Sequence, residues 1–171
     1  MTTEDLPRVE LADAEEADFI AIAGRYCPES LLRDYFRLAK QSTLRCLTLR
    51  CAGQIIGFGL LVFRRPEFWP AADYLGRLPE VVGLSINPGL RRRGYGSAFM
   101  RGIELETAKA GYSRLYLTVD PIENPAAYAF YRHLDYQQLQ TEPYHAVWEM
   151  KDSHQRVYRG ENWLIDMFKD F

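Results

Sequence analysis

Along the first forty residues the apolar positions recur at helical spacing. Asp13 and Glu16 stand at capping-box distance, with aspartate in the usual serine or threonine place, and Phe19, Ile20 and Ala23 follow, which predicts a helix running to about Arg25. Pro28 suits the first turn of a second helix, whose apolar face is Leu31, Leu32, Tyr35, Phe36 and Ala39. The rhythm then changes. Leu44 to Cys51 and Gln54 to Arg64 read as strands on either side of an Ala52-Gly53 hairpin turn. Residues 65 to 79 contain Pro66, Pro70 and Pro79 with Phe68, Trp69 and Tyr74 and hold no period, so a long loop is expected there, of the kind that usually serves function.

Val81 to Ile86 is the next predicted strand, followed by a glycine-punctuated turn and a helix from about Ser97 to Ala110 that Gly111 stops. Leu115 to Val119 reads as a strand, and Asn124-Pro125 opens a helix to about Leu134. Tyr136 to Leu139 and Tyr144 to Lys151 look like a final strand pair. Trp163, Leu164, Met167, Phe168 and Phe171 then make an apolar stripe, which predicts an amphipathic helix in a carboxyl-terminal extension, residues 152 to 171. That helix either closes the flank of the sheet or forms a homodimer contact. With no internal repeat, low-complexity tract or linker, residues 1 to 171 read as one domain, mixed α/β (α+β), with helices interleaved among strands and a hairpin at each end of the sheet.

Composition narrows the class. At 47% hydrophobic and 26% charged residues the chain has the material for a core, which argues against extended disorder. The net charge of −2 argues against a general nucleic-acid binder, so the consecutive Arg91, Arg92 and Arg93 stand out as a local device. No secretory signal is visible at the amino terminus. The longest apolar run, Ile55 to Phe63, is far short of the roughly 20 residues of a membrane helix. The three cysteines cannot all pair, and Cys46 and Cys51 on one predicted strand would lie about 16 Å apart. A soluble protein of the reducing cytoplasm is the expectation. His133, His145 and His154 lack metal-ligand spacing, so no metal is expected.

The chemistry concentrates in the turn Ile86-Asn-Pro-Gly-Leu-Arg-Arg-Arg-Gly-Tyr-Gly-Ser97. A turn between strand and helix, with glycines for unusual backbone angles and a helix amino terminus offering unpaired N–H groups, suits an anion such as a phosphate. It has no lysine before Ser97, which removes the nucleotide-hydrolysing P-loop, and Phe99 stands where the dinucleotide fingerprint needs a third glycine or alanine. What remains is Arg91-x-x-Gly94-x-Gly96. Downstream, Asn124, Ala127 and Tyr131 are spaced by three and four residues.

Together these segments resemble the two signatures of the GNAT N-acetyltransferase superfamily. The resemblance covers roughly residues 8 to 151 and is specific in 80 to 136. It implies a central, mostly antiparallel twisted sheet of about six or seven strands, helices on both faces, and a splayed pair of central strands. It implies acetyl-CoA as co-substrate, held by the backbone and side chains of Arg91, Arg92, Arg93, Gly94, Tyr95, Gly96 and Ser97. Leu84, Ser85 and Ile86 would pair with the pantetheine arm near Asn124 and Ala127, and Tyr131 would point its hydroxyl at the sulfur as general acid. One departure is Asp135, in a place where the family usually has glycine.

Read from the residues alone, Asn124 is also an ordinary helix cap, and Tyr131 falls on a core stripe with Ala127, Phe130 and Leu134. For the general base, Glu80 opens the strand before the turn; Asp120 and Glu123 compete with it, and Thr118 occupies a place where some family members carry glutamate. The expected reaction is transfer of an acetyl group to a primary amine of a small molecule, with a protein amino terminus, a lysine or a non-catalytic acyl-CoA sensor as alternatives. Phe68, Trp69, Tyr74, Trp148 and Trp163 are candidates for shaping the acceptor pocket.

Overall fold

A computed structural model describes residues 8–65 and 77–171; Phe68, Trp69 and Tyr74 lie outside them. Among the described residues, eight strands form one sheet in the order β1-β2-β3-β4-β5-β8-β6, with β7 paired to a second stretch of β8. The strands are β1 (Val9–Asp13), β2 (Leu44–Cys51), β3 (Gln54–Val62), β4 (Glu80–Ile86), β5 (Arg114–Val119), β6 (Gln137–Gln138), β7 (Tyr144–Lys151) and β8 (Val157–Asp170). Four α-helices accompany them: α1 (Phe19–Ile22), α2 (Glu29–Ala39), α3 (Tyr95–Lys109) and α4 (Pro125–His133). Pairing is antiparallel throughout except between β4 and β5.

Strand alternation splits the core in two. On β2, Leu47 and Leu49 face one way, into a cluster with Phe99, Met100 and Ile103 of α3 and Leu115, Leu117 and Val119 of β5. Leu44 and Cys46 face the other way, against Leu31, Leu32, Tyr35 and Phe36 of α2. Helices therefore cover both faces, and the mixed α/β architecture is the one expected.

Several expectations fail, each for a physical reason. The first helix does not start at Asp13: that residue ends β1, whose Val9↔Cys51 to Asp13↔Leu47 ladder outcompetes the local cap. The capping box is instead Glu15 with Asp18, opening a 3-10 turn before the four-residue α1. The terminal amphipathic helix does not form either. Residues 157–170 are the long strand β8; exposed and half-buried positions alternate over 157–164, but Ile165, Asp166 and Met167 are all buried, so within the expected helical stripe no exposed face marks a period of two. Its first half pairs with β7, from Lys151↔Val157 to Tyr144↔Leu164, and its second half with β5, from Val119↔Ile165 to Arg114↔Asp170. The expected final strand pair accordingly becomes two separate partners of β8, β6 and β7.

Candidate active site

The site begins where two neighbouring strands stop pairing. β4 and β5 share register at Glu80↔Tyr116 and Val81↔Leu117, although both strands continue beyond those residues. The same stretch of β4 carries a bulge: Phe58 faces Ser85 and Leu60 faces Val82, so β4 spends one residue more than β3. Gly83 takes the strain at φ +63°. The backbone of residues 82–86, which includes Leu84, Ser85 and Ile86, is thus left on the β5 side without a ladder partner, as the expected splay requires.

At the end of β4 the chain enters the arginine-glycine turn. Asn87 caps a short 3-10 turn, Pro88–Leu90, by accepting from the Gly89 N–H at 3.2 Å. Arg92 and Gly94 then adopt left-handed backbone, at φ +61° and +84°. Helix α3 starts at Tyr95, two residues ahead of expectation, and its first α-helical bond runs from Ala98 N to Gly94 O at 3.0 Å. The N–H groups of Tyr95, Gly96 and Ser97 therefore have no intrahelical acceptor and sit at the positive end of the helix dipole. Arg91, Arg92 and Arg93 are exposed beside them. Arg91 has a second task, since its Nε donates to the Ile86 carbonyl at 3.2 Å and ties the turn back to the strand. This set of donors fits a pyrophosphate.

Gly96 serves differently from what its place in the motif suggests. It is helical, and a Cβ there would lie 3.1 Å from Phe130 Cζ, so its smallness lets α4 close onto α3. Asn124 caps α4 with its side-chain oxygen on the Ala127 N–H at 3.2 Å, and Ala127 and Tyr131 pack partly buried against the α3 core. The Tyr131 ring meets Phe130 and Tyr136 at centroid distances of 5.2 and 5.9 Å. Burial pushes its phenol up to about 12. Asp135, in the family's glycine place, adopts φ +66°, the left-handed conformation that aspartate tolerates better than most residues.

On the opposite face of the sheet stand the acids. Val81 and Leu117 point into the α3 core, so their neighbours Glu80 and Thr118 point towards the α2 side. Glu80 is 3% exposed, and Thr118 Oγ1 lies 3.3 Å from its Oε1 and 3.0 Å from Asp166 Oδ1. Tyr144 donates to the same Asp166 oxygen at 2.9 Å, and Gln140 Nε2 to the other at 2.8 Å. Asp120 is committed elsewhere: it accepts from the N–H groups of Ile122 and Glu123 at 2.9 Å each and from Asn162 at 3.1 Å. Burial opposes its ionisation, but those donors outweigh it and hold the carboxyl below its ordinary range. Glu123 is exposed.

The two candidate tryptophans part. Trp148 lies over Gly160 on the acid-bearing face, its Nε1 donating to Asn162 Oδ1 at 2.9 Å, whereas Trp163 is on the other face and 48% exposed. Asp166, Tyr144 and Gln140 were not singled out from the sequence. Reading 163–171 as a strand would have exposed Asp166, which pairs in register with Thr118.

A strand splay with exposed arginines and free helix N–H groups at one end, buried acids on one face of the sheet and Tyr131 on the other is the arrangement expected of an acyl-coenzyme A transferase. A sequence model of the acetyltransferase (GNAT) family matches residues 8–136, and the chain belongs to that family; it is an acetyl-CoA-dependent N-acetyltransferase. By sequence, no curated protein matches it. Among solved structures it is similar to a ribosomal-protein-alanine N-acetyltransferase from Brucella melitensis, at TM-score 0.65 and 14% identity over 95% of this chain and 99% of that one. It is similar to a spermidine/spermine N-acetyltransferase from Vibrio cholerae, at 0.62 and 18% over 95% and 92%. A putative acetyltransferase from Salmonella typhimurium, solved with acetyl-CoA, gives 0.64 and 12% over 95% and 93%. Among the described residues no helix is long and apolar enough to cross a membrane.

Proposed function

We propose that the chain transfers the acetyl group of acetyl-CoA to a primary amine of a small molecule, with Glu80 as base and Tyr131 as the hydrogen-bond donor to the leaving sulfur. The observation that supports this reading is the two-pair β4/β5 ladder, which stops after Val81, next to Glu80 on one face of the sheet, while Tyr131 packs against the core on the other face. The N–H groups of Tyr95, Gly96 and Ser97, with Arg92 and Arg93, hold the pyrophosphate. Leu84, Ser85 and Ile86 offer backbone to the pantetheine arm, and Asn124 and Ala127 line its path. When bound, acetyl-CoA supplies an activated thioester.

An unperturbed alkylamine has a pKa near 10.4, so at neutral pH it must lose a proton before it can attack. Glu80 takes the proton that the nitrogen gives up as the N–C bond forms. Tyr131 faces the sulfur as the C–S bond breaks. With the phenol at about 12 and a thiol near 8.5, complete proton transfer is uphill by about 3.5 pK units, so Tyr131 acts chiefly as a hydrogen-bond donor to the departing thiolate. The sulfur then acquires its proton from water. Most of the acceleration comes from holding amine and thioester together in the slot.

Thiol release from acetyl-CoA with a panel of amines tests the proposal. Small polyamines and monoamines stand on one side of the panel, and an alanine-terminated peptide and a lysine peptide on the other. Amine-dependent release with a small amine, reduced about 100-fold or more in Glu80→Gln, supports it. Turnover of the peptides alone replaces the acceptor, and coenzyme binding without release under any amine replaces the enzyme by a sensor.

A further inference from the structure

Glu80 does not stand alone. The Thr118 hydroxyl lies within reach of two carboxylates, Asp166 at 3.0 Å and Glu80 at 3.3 Å, and a hydroxyl has one proton to give. Asp166 is built to accept. Gln140 can only donate through its Nε2, at 2.8 Å, and the Asp166 N–H donates in return to Gln140 Oε1 at 3.0 Å, which fixes the carboxylate between them. Tyr144 adds a donor at 2.9 Å, its proton held by burial first and by the Asp166 carboxylate next. The Thr118 proton therefore belongs to the shorter contact, Asp166, and the Thr118 lone pairs face Glu80.

In that order Thr118 can bond to Glu80 when Glu80 carries a proton, and has none to offer when it does not. The negative charge of Asp166 works in the same direction. Among the charged and titratable groups near the pair are Tyr144 from β7, Asp166 from β8 and Tyr116, the register partner of Glu80 on β5; Arg77, just before β4, acts on the neighbouring Tyr144 in the sense opposite to the two carboxylates. We propose that Asp166, acting through Thr118, raises the proton affinity of Glu80 and so makes it a competent base for the amine. Asp166 and Thr118 are positioning residues, and the proposal rests on the reading of Glu80 as base.

Carbon NMR of protein labelled at the glutamate side-chain carboxyl tests it without an acceptor, the Glu80 signal being the one that Glu80→Gln removes. In Asp166→Asn its titration midpoint should fall by about one pH unit. Thr118→Val should lower it too, and Thr118→Ser should restore it. A midpoint unchanged in Asp166→Asn overturns the coupling, and a rise in Thr118→Val overturns the proton order, because it would mean that the hydroxyl donates to Glu80. Circular dichroism confirms that each variant is folded, and Thr118→Ser keeps the hydroxyl with less risk to packing.

With an amine from the panel, the acidic limb of kcat/KM should move to lower pH by the same amount in Asp166→Asn. If the NMR midpoint shifts but Glu80→Gln keeps full turnover, the base reading fails and the role proposed for Asp166 falls with it. If Glu80→Gln is inactive but the midpoint stays put, the base stands and the coupling fails.

Discussion

At position 131 the proposed function asks one side chain to satisfy packing and chemistry together. The tyrosine lies on the apolar stripe of α4, and its ring packs on Phe130 and Tyr136, so a Phe in its place keeps the fold. In its proposed role Tyr131 donates to a developing anion, a contact worth about 1.5–3 kcal/mol, so in Tyr131→Phe kcat should fall roughly 10- to 100-fold with the KM for acetyl-CoA little changed. Steady-state thiol release measures both, and an unchanged kcat would end the assignment. Burial fixes the sign of the pH effect. The folded phenol titrates at about 12 against about 10 in an unfolded chain, so the protonated donor persists well above neutral pH. The stability linked to it is present below pH 10 and is lost as pH rises from about 10 to 12. Gly96 carries the complementary constraint. Gly96→Ala forces a methyl to within 3.1 Å of Phe130 Cζ, and overpacking of this kind costs about 1–3 kcal/mol. Urea unfolding should show that loss together with a higher KM for acetyl-CoA, since the same contact sets the α3 amino terminus against α4.

Among the elements, those whose period appears on an exposed and a buried face were legible, while those covered on both sides were not. Helix α2 buries Leu31, Leu32, Tyr35 and Phe36 and shows Glu29, Arg33 and Arg37 to solvent, and it carries the expected apolar face from Leu31 to Ala39, with Pro28 as its N-cap. The splay followed from recognising Gly94 and Asn124 as parts of two matched signatures, since nothing in the residues of β4 or β5 alone announces where pairing will stop. Strand β8 was hidden because Ile165 and Met167 pack against α3 while Asp166 meets Thr118, Tyr144 and Gln140 across the other face. Missing it concealed both Asp166 and the β7–β8 hairpin. That hairpin is fastened to α2 through side chains far apart in the chain. Asp34, 2% exposed, accepts from Ser153 N at 2.9 Å, Ser30 meets Tyr158 at 2.7 Å, and Asp152 accepts from the N–H groups of His154 and Arg156. Asp34→Ala leaves the Ser153 N–H without its acceptor and should cost about 1–3 kcal/mol. Hydrogen exchange should locate the effect: amides of the β7–β8 turn exchange faster in Asp34→Ala, while those of α3 slow or quicken only with global stability.

Across the molecule, the sheet is weakest at its middle. From β1 to β4 and from β5 to β8 the ladders are long, but the two blocks are joined by the register pairs Glu80↔Tyr116 and Val81↔Leu117. A ligand lying in the splay, anchored at the α3 amino terminus, touches both blocks and binds the folded chain alone. At about 100 times its Kd such a ligand stabilises by about 2.7 kcal/mol, which for a domain of this size raises Tm by roughly 5–10 °C. Coenzyme A without an acyl group should suffice, because the pyrophosphate and pantetheine make the proposed contacts. The net charge of −2 offers no general attraction for an anion, so the effect must depend on the local arginines. The Arg92→Ala, Arg93→Ala double variant should therefore lose most of the shift at a fixed coenzyme concentration while keeping the Tm of the unliganded protein. Added salt should diminish the wild-type shift and leave that of the double variant nearly constant, since screening acts on charges that the variant no longer has. A shift of full size in the double variant would place the coenzyme somewhere other than the arginine-glycine turn, and the slot between β4 and β5 would lose its claim to be the site.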